Sequence, residues 1–169
     1  MQGNSYYYAK EYDKAIEAYQ KALAIYSQNN AAYFNMGVVY AEQGKDEEAL
    51  KVYQKAIELN PKRDDAYFNM GVVYAEQGKD EEALEAYQKA ITINPKDDVY
   101  SNMGNLYAKK NKYEEALKTY QKAIEINPNS DDAYYNMGIV YDNQSKYEEA
   151  IALYQKAIEI NPNRDEAYS

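Results

Sequence analysis

The stretch AYFNMGVVYAEQGKDEEAL runs from Ala32 to Leu50 and returns, letter for letter, from Ala66 to Leu84. A catalytic site needs one arrangement of groups, so verbatim duplication points away from an active site. Self-similarity at a period of about 20 to 50 residues marks a supersecondary unit stacked on copies of itself. The triplet Asn-Met-Gly carries the phase through the chain, with Met36, Met70, Met103 and Met137 spaced by 34, 33 and 34 residues. Each proline holds one place in the same frame, as Pro61, Pro95, Pro128 and Pro162, and each follows an asparagine. The turn NPKDDVY is one residue shorter than NPKRDDAY, a change that costs little in a loop.

With Asn30 as position one, every unit shows two amphipathic patterns. Tyr33, Met36, Gly37 and Tyr40 occupy positions 4, 7, 8 and 11, and Ala49, Tyr53, Ala56 and Ile57 occupy 20, 24, 27 and 28. Both have the three-and-four spacing of a helix with one apolar face. Gly44 and Gly78 punctuate the break between the two helices. Acidic runs such as Asp46, Glu47 and Glu48 open the second helix, where the positive end of its dipole favours them. Asn-Pro closes it, since proline cannot continue a helix and restrains the residue before it. Of the 22 tyrosines, five stand at each of positions 4, 11 and 24. Beside the small residues at 8, 20 and 27, these rings are expected to fill the core, with their hydroxyls at its rim.

Composition narrows the function classes. At 169 residues, 46% hydrophobic and 28% charged, the chain has the make-up of a folded protein. No apolar run approaches the length needed to span a bilayer, and the start lacks the basic and apolar segments of a signal peptide. The cytoplasm is the default compartment. Cysteine and histidine are absent, which removes thiolate metal sites, disulfides and the commonest general base. A formal charge of −9 argues against nucleic acid, whose binding rests on clustered Lys and Arg. Acid pairs such as Asp64 with Asp65 recur at the same helix start in three of the four full units, where capping and the dipole explain them. There is no glycine-rich phosphate loop or nucleophile motif. The sequence therefore implies no catalytic residue, no cofactor and no metal.

This pattern resembles the tetratricopeptide repeat, a 34-residue helix–turn–helix with a large residue at 4, Leu-Gly at 7 and 8, Tyr at 11, Ala at 20 and 27, an aromatic at 24 and Pro at 32. All four full units match, with Tyr at 4 and Met at 7 as conservative departures. The near-verbatim copying of the first two full units also suits a consensus-like or engineered array. The resemblance covers the whole chain and implies an all-α, right-handed superhelix in which the first helix of each pair lines a concave groove. One solenoid is expected over residues 1–169. It comprises a truncated repeat at 1–29, full repeats at 30–63, 64–96, 97–130 and 131–164, and the opening of a further first helix at 165–169.

On the first helices, positions 2, 5, 6, 9, 12 and 13 form a second face that is mixed rather than charged. A helix apolar on more than one side is either buried between neighbours or offers a surface to a partner. The candidate groove residues on this face are Phe34, Asn35, Val38 and Glu42; Asp65, Phe68, Asn69, Val72 and Glu76; Asp98, Asn102 and Asn105; and Asp132, Tyr135 and Asn136. Asparagine holds position 6 in every full unit, and a primary amide can both donate to and accept from a peptide backbone. This resembles the asparagine ladder of other superhelical repeats in the family. The carboxylate clamp of the chaperone-binding members is missing: position 5 holds Phe34, Phe68, Ser101 and Tyr135 instead of Lys, and position 2 holds Asp65, Asp98 and Asp132. The expected function is a non-catalytic scaffold for an extended protein or peptide segment, neutral, aromatic or basic rather than acidic.

A competing expectation comes from the two ends. Gly3 and Tyr6 fall on positions 8 and 11 of a split repeat, and Tyr168 falls on position 4 of the next. Joining tail to head would complete one first helix, so Met1, Gly3, Tyr6, Tyr168 and Ser169 are candidates for a head-to-tail contact between copies. Such a contact builds a ring if it closes and a filament if it does not.

Overall fold

A computed structural model describes residues 2–162. Among these residues ten helices and no strands occur, the all-α class that the periodicity requires. No helix among them is long and apolar enough to cross a membrane. The chain divides into two compact units, Met1–Ile93 and Asn94–Ser169, and the division falls in the turn that is one residue short.

The first unit holds α1 (Gln2–Tyr8), α2 (Tyr12–Ile25), α3 (Asn30–Glu42), α4 (Asp46–Leu59), α5 (Asp64–Glu76) and α6 (Asp80–Ile93). Helices α1 and α2, α3 and α4, and α5 and α6 pack as hairpins, and each later hairpin lays its first helix on the second helix of the one before. The second unit repeats the plan with α7 (Asp97–Lys109), α8 (Tyr113–Ile126), α9 (Asp131–Asn143) and α10 (Tyr147–Ile160).

Glycine and tyrosine interlock each hairpin. Gly37, Gly71, Gly104 and Gly138 lie directly under the rings of Tyr53, Tyr87, Tyr120 and Tyr154, and Gly3 lies under Tyr19. A methyl group at Gly104 would stand 2.5 Å from the Tyr120 ring, so only glycine admits the approach. Tyr53, Tyr87 and Tyr120 are each 1% exposed. Around them the buried alanines Ala49, Ala56 and Ala66 in one unit, and Ala116, Ala123 and Ala133 in the other, let the backbones close up. Truncating such a ring costs about 3–5 kcal/mol. Among the described residues, the rings at positions 4 and 11 are half-buried and pack against this core from its edge.

The turns within the hairpins share one geometry. Lys10, Gly44, Gly78, Asn111 and Ser145 all take positive φ, between 56° and 72°. In each, the left-handed residue donates its N–H to the carbonyl of the helix's second-last residue, and the following N–H reaches one residue further back. Gly44 donates to the Ala41 carbonyl at 2.8 Å and Lys45 to the Tyr40 carbonyl at 2.8 Å. This is the Schellman closure, which satisfies carbonyls that a helix end otherwise strands. The Asn-Pro asparagines do more than precede a proline. Asn127 Nδ2 donates to Asp97 at 2.7 Å and Asn161 Nδ2 to Asp131 at 2.9 Å, tying the end of each hairpin to its beginning.

Candidate functional site

The second face of the first helices opens into a cleft in each unit. In the first unit a cleft of about 370 Å³ between α3 and α5 is lined by Val38, Ala41 and Glu42 from α3, and by Asn69, Val72, Val73 and Glu76 from α5. Tyr53 from α4 also lines it. Valine and alanine side chains make its apolar walls, and two exposed carboxylates, Glu42 and Glu76, flank them. Burial pushes the Tyr53 hydroxyl well above its ordinary pKa, with a hydrogen bond to Asn69 opposing the rise. That hydroxyl is a neutral donor at any physiological pH.

The second unit has a cleft of about 390 Å³ between α7 and α9. Asp97, Asp98, Ser101, Asn102 and Asn105 line it from α7, Asp132, Tyr135 and Asn136 from α9, and Ser130 from the connecting turn. Its walls are polar where those of the first cleft are aliphatic. Asn105 Oδ1 accepts from the Tyr120 hydroxyl at 2.6 Å and from Asn136 Nδ2 at 3.0 Å. Asn102 spends an N–H on the Asp98 carbonyl at 2.9 Å. In the first unit Asn35 Nδ2 likewise donates to Asn4 Oδ1 at 3.2 Å, and Asn4 accepts from the Tyr19 hydroxyl at 2.6 Å. The position-6 asparagines are half-buried and partly engaged with their own fold, each keeping capacity for a partner.

Most of the candidate residues converge in these two clefts: Val38, Glu42, Asn69, Val72 and Glu76 in one, and Asp98, Asn102, Asn105, Asp132, Tyr135 and Asn136 in the other. The remainder lie elsewhere. Phe34 and Phe68 are half-buried and sit 5.8 Å, ring to ring, from Tyr53 and Tyr87. Asp65 is taken up by Arg63, whose guanidinium also stacks on Phe34 at 4.2 Å. Periodicity gave no sign of this Arg63 contact or of the part played by Ser130, because both stand in turns, outside either helical pattern. Of the head-to-tail candidates, Gly3 is buried beneath Tyr19 and Tyr6 is half-buried. Met1, Tyr168 and Ser169 lie outside the described residues.

Comparison with known families places this architecture. The family model of the TPR repeat matches residues 3–44, 39–78 and 104–145, and that of the tetratricopeptide repeat matches 64–97 and 131–164. The chain belongs to the tetratricopeptide repeat family. Among solved structures, this tetratricopeptide repeat protein is similar to MamA, at 26% identity over 97% of this chain and 96% of that one, with a TM-score of 0.86. It is similar also to YrrB, described as a TPR protein with an unusual peptide-binding site, at 28% identity over 95% of this chain and 84% of that one, with a TM-score of 0.76. MamA from Desulfovibrio magneticus RS-1 shares the fold at 18% identity, covering 96% and 93% of the two chains with a TM-score of 0.84. No curated protein matches the chain. Proteins of this repeat family serve as protein-interaction scaffolds and are typically non-enzymatic.

Proposed function

We propose that this tetratricopeptide repeat protein is a non-catalytic scaffold that binds an extended protein segment along the second face of its first helices. One observation carries the reading: residues from positions 2, 5, 6, 9, 12 and 13, scattered in sequence, gather into one open cleft per unit. The described likeness of YrrB, a peptide-binding member, supports it. The clefts also suggest the kind of segment. Glu42 and Glu76 beside Val38 and Val72 suit a side chain with an aliphatic stem and a positive head, since long cations lay their methylenes on apolar surface. A net charge of −9 steers such segments in and acidic ones away. A peptide with Lys or Arg among apolar residues should bind at least about tenfold tighter than its Asp- or Glu-bearing counterpart, about the worth of one charge-assisted hydrogen bond. Calorimetric titration of the two peptides decides it, and the reverse ranking refutes the groove chemistry.

A second reading is self-association, favoured by one face of α10. Ile57, Ile91 and Ile124 at position 28 are 5–8% exposed, whereas Ile158 at the same position is 47% exposed and Ile151 is 55% exposed. On α8 the matching face receives α9. A first helix of another copy would cover the same face of α10.

A further inference from the structure

The two units differ at one spot in a way that names a ligand. In the first unit the space between the starts of α3 and α5 is filled by Arg63. Its Nη1 donates to Asn30 Oδ1 at 2.6 Å and its Nη2 to Asp65 Oδ2 at 3.1 Å. Its Nε stands 3.0 Å from Asp65 Oδ1, an ion pair outside hydrogen-bond geometry. Its Cζ lies over the Phe34 ring, 4.2 Å from the ring centre. The chain thus builds a complete guanidinium site and fills it with its own side chain.

In the second unit, 67 residues further on, the frame puts Asp97 where Asn30 stands, Ser101 where Phe34 stands, Ser130 where Arg63 stands and Asp132 where Asp65 stands. The plug and its stacking platform have both become serine, while the acceptors stay and one gains a charge. What remains is the 390 Å³ cleft between α7 and α9. Ser101 lines it, is only 8% exposed, and its Oγ has no hydrogen-bond partner. An unsatisfied buried hydroxyl costs free energy that a donor or acceptor entering the cleft would recover.

We propose that this cleft is a socket for an arginine side chain presented by the partner. The inference rests on the reading that the partner lies on the second face of the first helices, and it adds the residue that anchors there. The acceptors suit a flat, many-donor cation rather than a point charge. Asp97 and Asp98 approach from α7, and Asp132 from α9. Asp97 Oδ2 already accepts from Asn127 and Asp98 Oδ1 from the Val99 N–H, yet each carboxylate has further lone pairs. A guanidinium offers five N–H donors in one plane and reaches both walls at once, whereas an ammonium has only three donors on one atom. Tyr135 supplies from α9 the ring that Ser101 no longer provides from α7, for stacking of the cation.

Nuclear magnetic resonance titration of the full chain tests this with three capped tripeptides, glycine–X–glycine, where X is arginine, lysine or citrulline. Citrulline keeps the shape of arginine and loses its charge. The arginine peptide should shift the amides of Ser101, Ser130 and Asn136 and bind about tenfold or more tighter than the citrulline peptide, with lysine between them. Asp132→Asn should weaken the arginine peptide by a similar factor. The double variant Ser130→Arg with Ser101→Phe recreates the filled site of the first unit. It should abolish these shifts while raising the melting temperature, which shows that loss of binding is not loss of fold. Equal affinities for arginine and citrulline, or shifts that persist in the double variant, overturn the socket. If the arginine peptide moves only Asn69, Val72 and Glu76, the groove reading stands and the socket falls. If it moves only second-helix residues such as Gln54 and Glu58, or nothing, both fall.

Discussion

Position 15 of the repeat shows what a single residue contributes. The backbone there is left-handed in all five hairpins, and glycine fills it only at Gly44 and Gly78. Ser145, at φ 61°, and Lys10, at φ 56°, hold the same conformation with a Cβ. An L-residue in that region is strained by about 1–2 kcal/mol, and glycine avoids the strain while costing about 0.4–1 kcal/mol in the freedom of the unfolded chain. The balance favours glycine. Ser145→Gly should therefore stabilise the protein by about 0.5–1 kcal/mol, seen as a higher urea midpoint with unchanged slope. Nothing else about Ser145 opposes the change, since it is exposed and its N–H bond to the Asp142 carbonyl survives. The sequence announces this turn through Gly44 and Gly78, and through Asn111, since asparagine tolerates the left-handed region, but it hides that Lys10 and Ser145 share the conformation, because their side chains carry no signal for it. Core positions were hidden in the same way. Val39, Val73, Leu106 and Val140 at position 10, and Ala32, Ala66, Val99 and Ala133 at position 3, are all buried. Positions 3, 7 and 10 form a stripe as regular as 4, 7, 8 and 11, and only the packing of the preceding hairpin selects the first as the deeper one.

At the scale of the helix, periodicity was enough to read each element, its order and its apolar side. It was not enough to read what sits against a given face, because identical helices meet different neighbours. Arg63 and Ser130 show this in the clefts, and α10 shows it at a flat surface. On α8, Ile124 lies in the cluster with Ala133, Met137 and Val140 of α9. Ile158 on α10, with the same spelling around it, is exposed, as are Ile151 and Tyr147. Covering the half of such an isoleucine that is still exposed is worth about 1 kcal/mol. If a second copy covers α10, light scattering should show mass rising with concentration, and Ile158→Glu should return the protein to a monomer without loss of helix. The mass of a monomer, and only that, across a wide concentration range would discard self-association and leave the scaffold reading untouched.

Over the whole molecule, the repeated tyrosine core makes stability depend on alkaline pH. Tyr19, Tyr53, Tyr87, Tyr120 and Tyr154 occupy one position in five hairpins, and burial raises the pKa of each above the ordinary 10. The sign follows from linkage. Below pH 10 both folded and unfolded chains keep these phenols protonated, and the stability is fully present. Above it the unfolded chain releases protons that the folded chain retains, so unfolding is drawn forward as pH rises toward the folded values. Each proton so released steepens the fall by about 1.4 kcal/mol per pH unit. Because such tyrosines stand in both units, loss of helical circular dichroism above pH 10 should coincide with a cooperative step in tyrosinate absorbance. Tyr120→Phe has no proton to release and should flatten the pH dependence by about one proton's slope. If Tyr120→Phe instead loses its helices with the same pH dependence as the parent, the Tyr120 phenol is ionising within the folded state, and the glycine–tyrosine interlock is looser than the geometry requires.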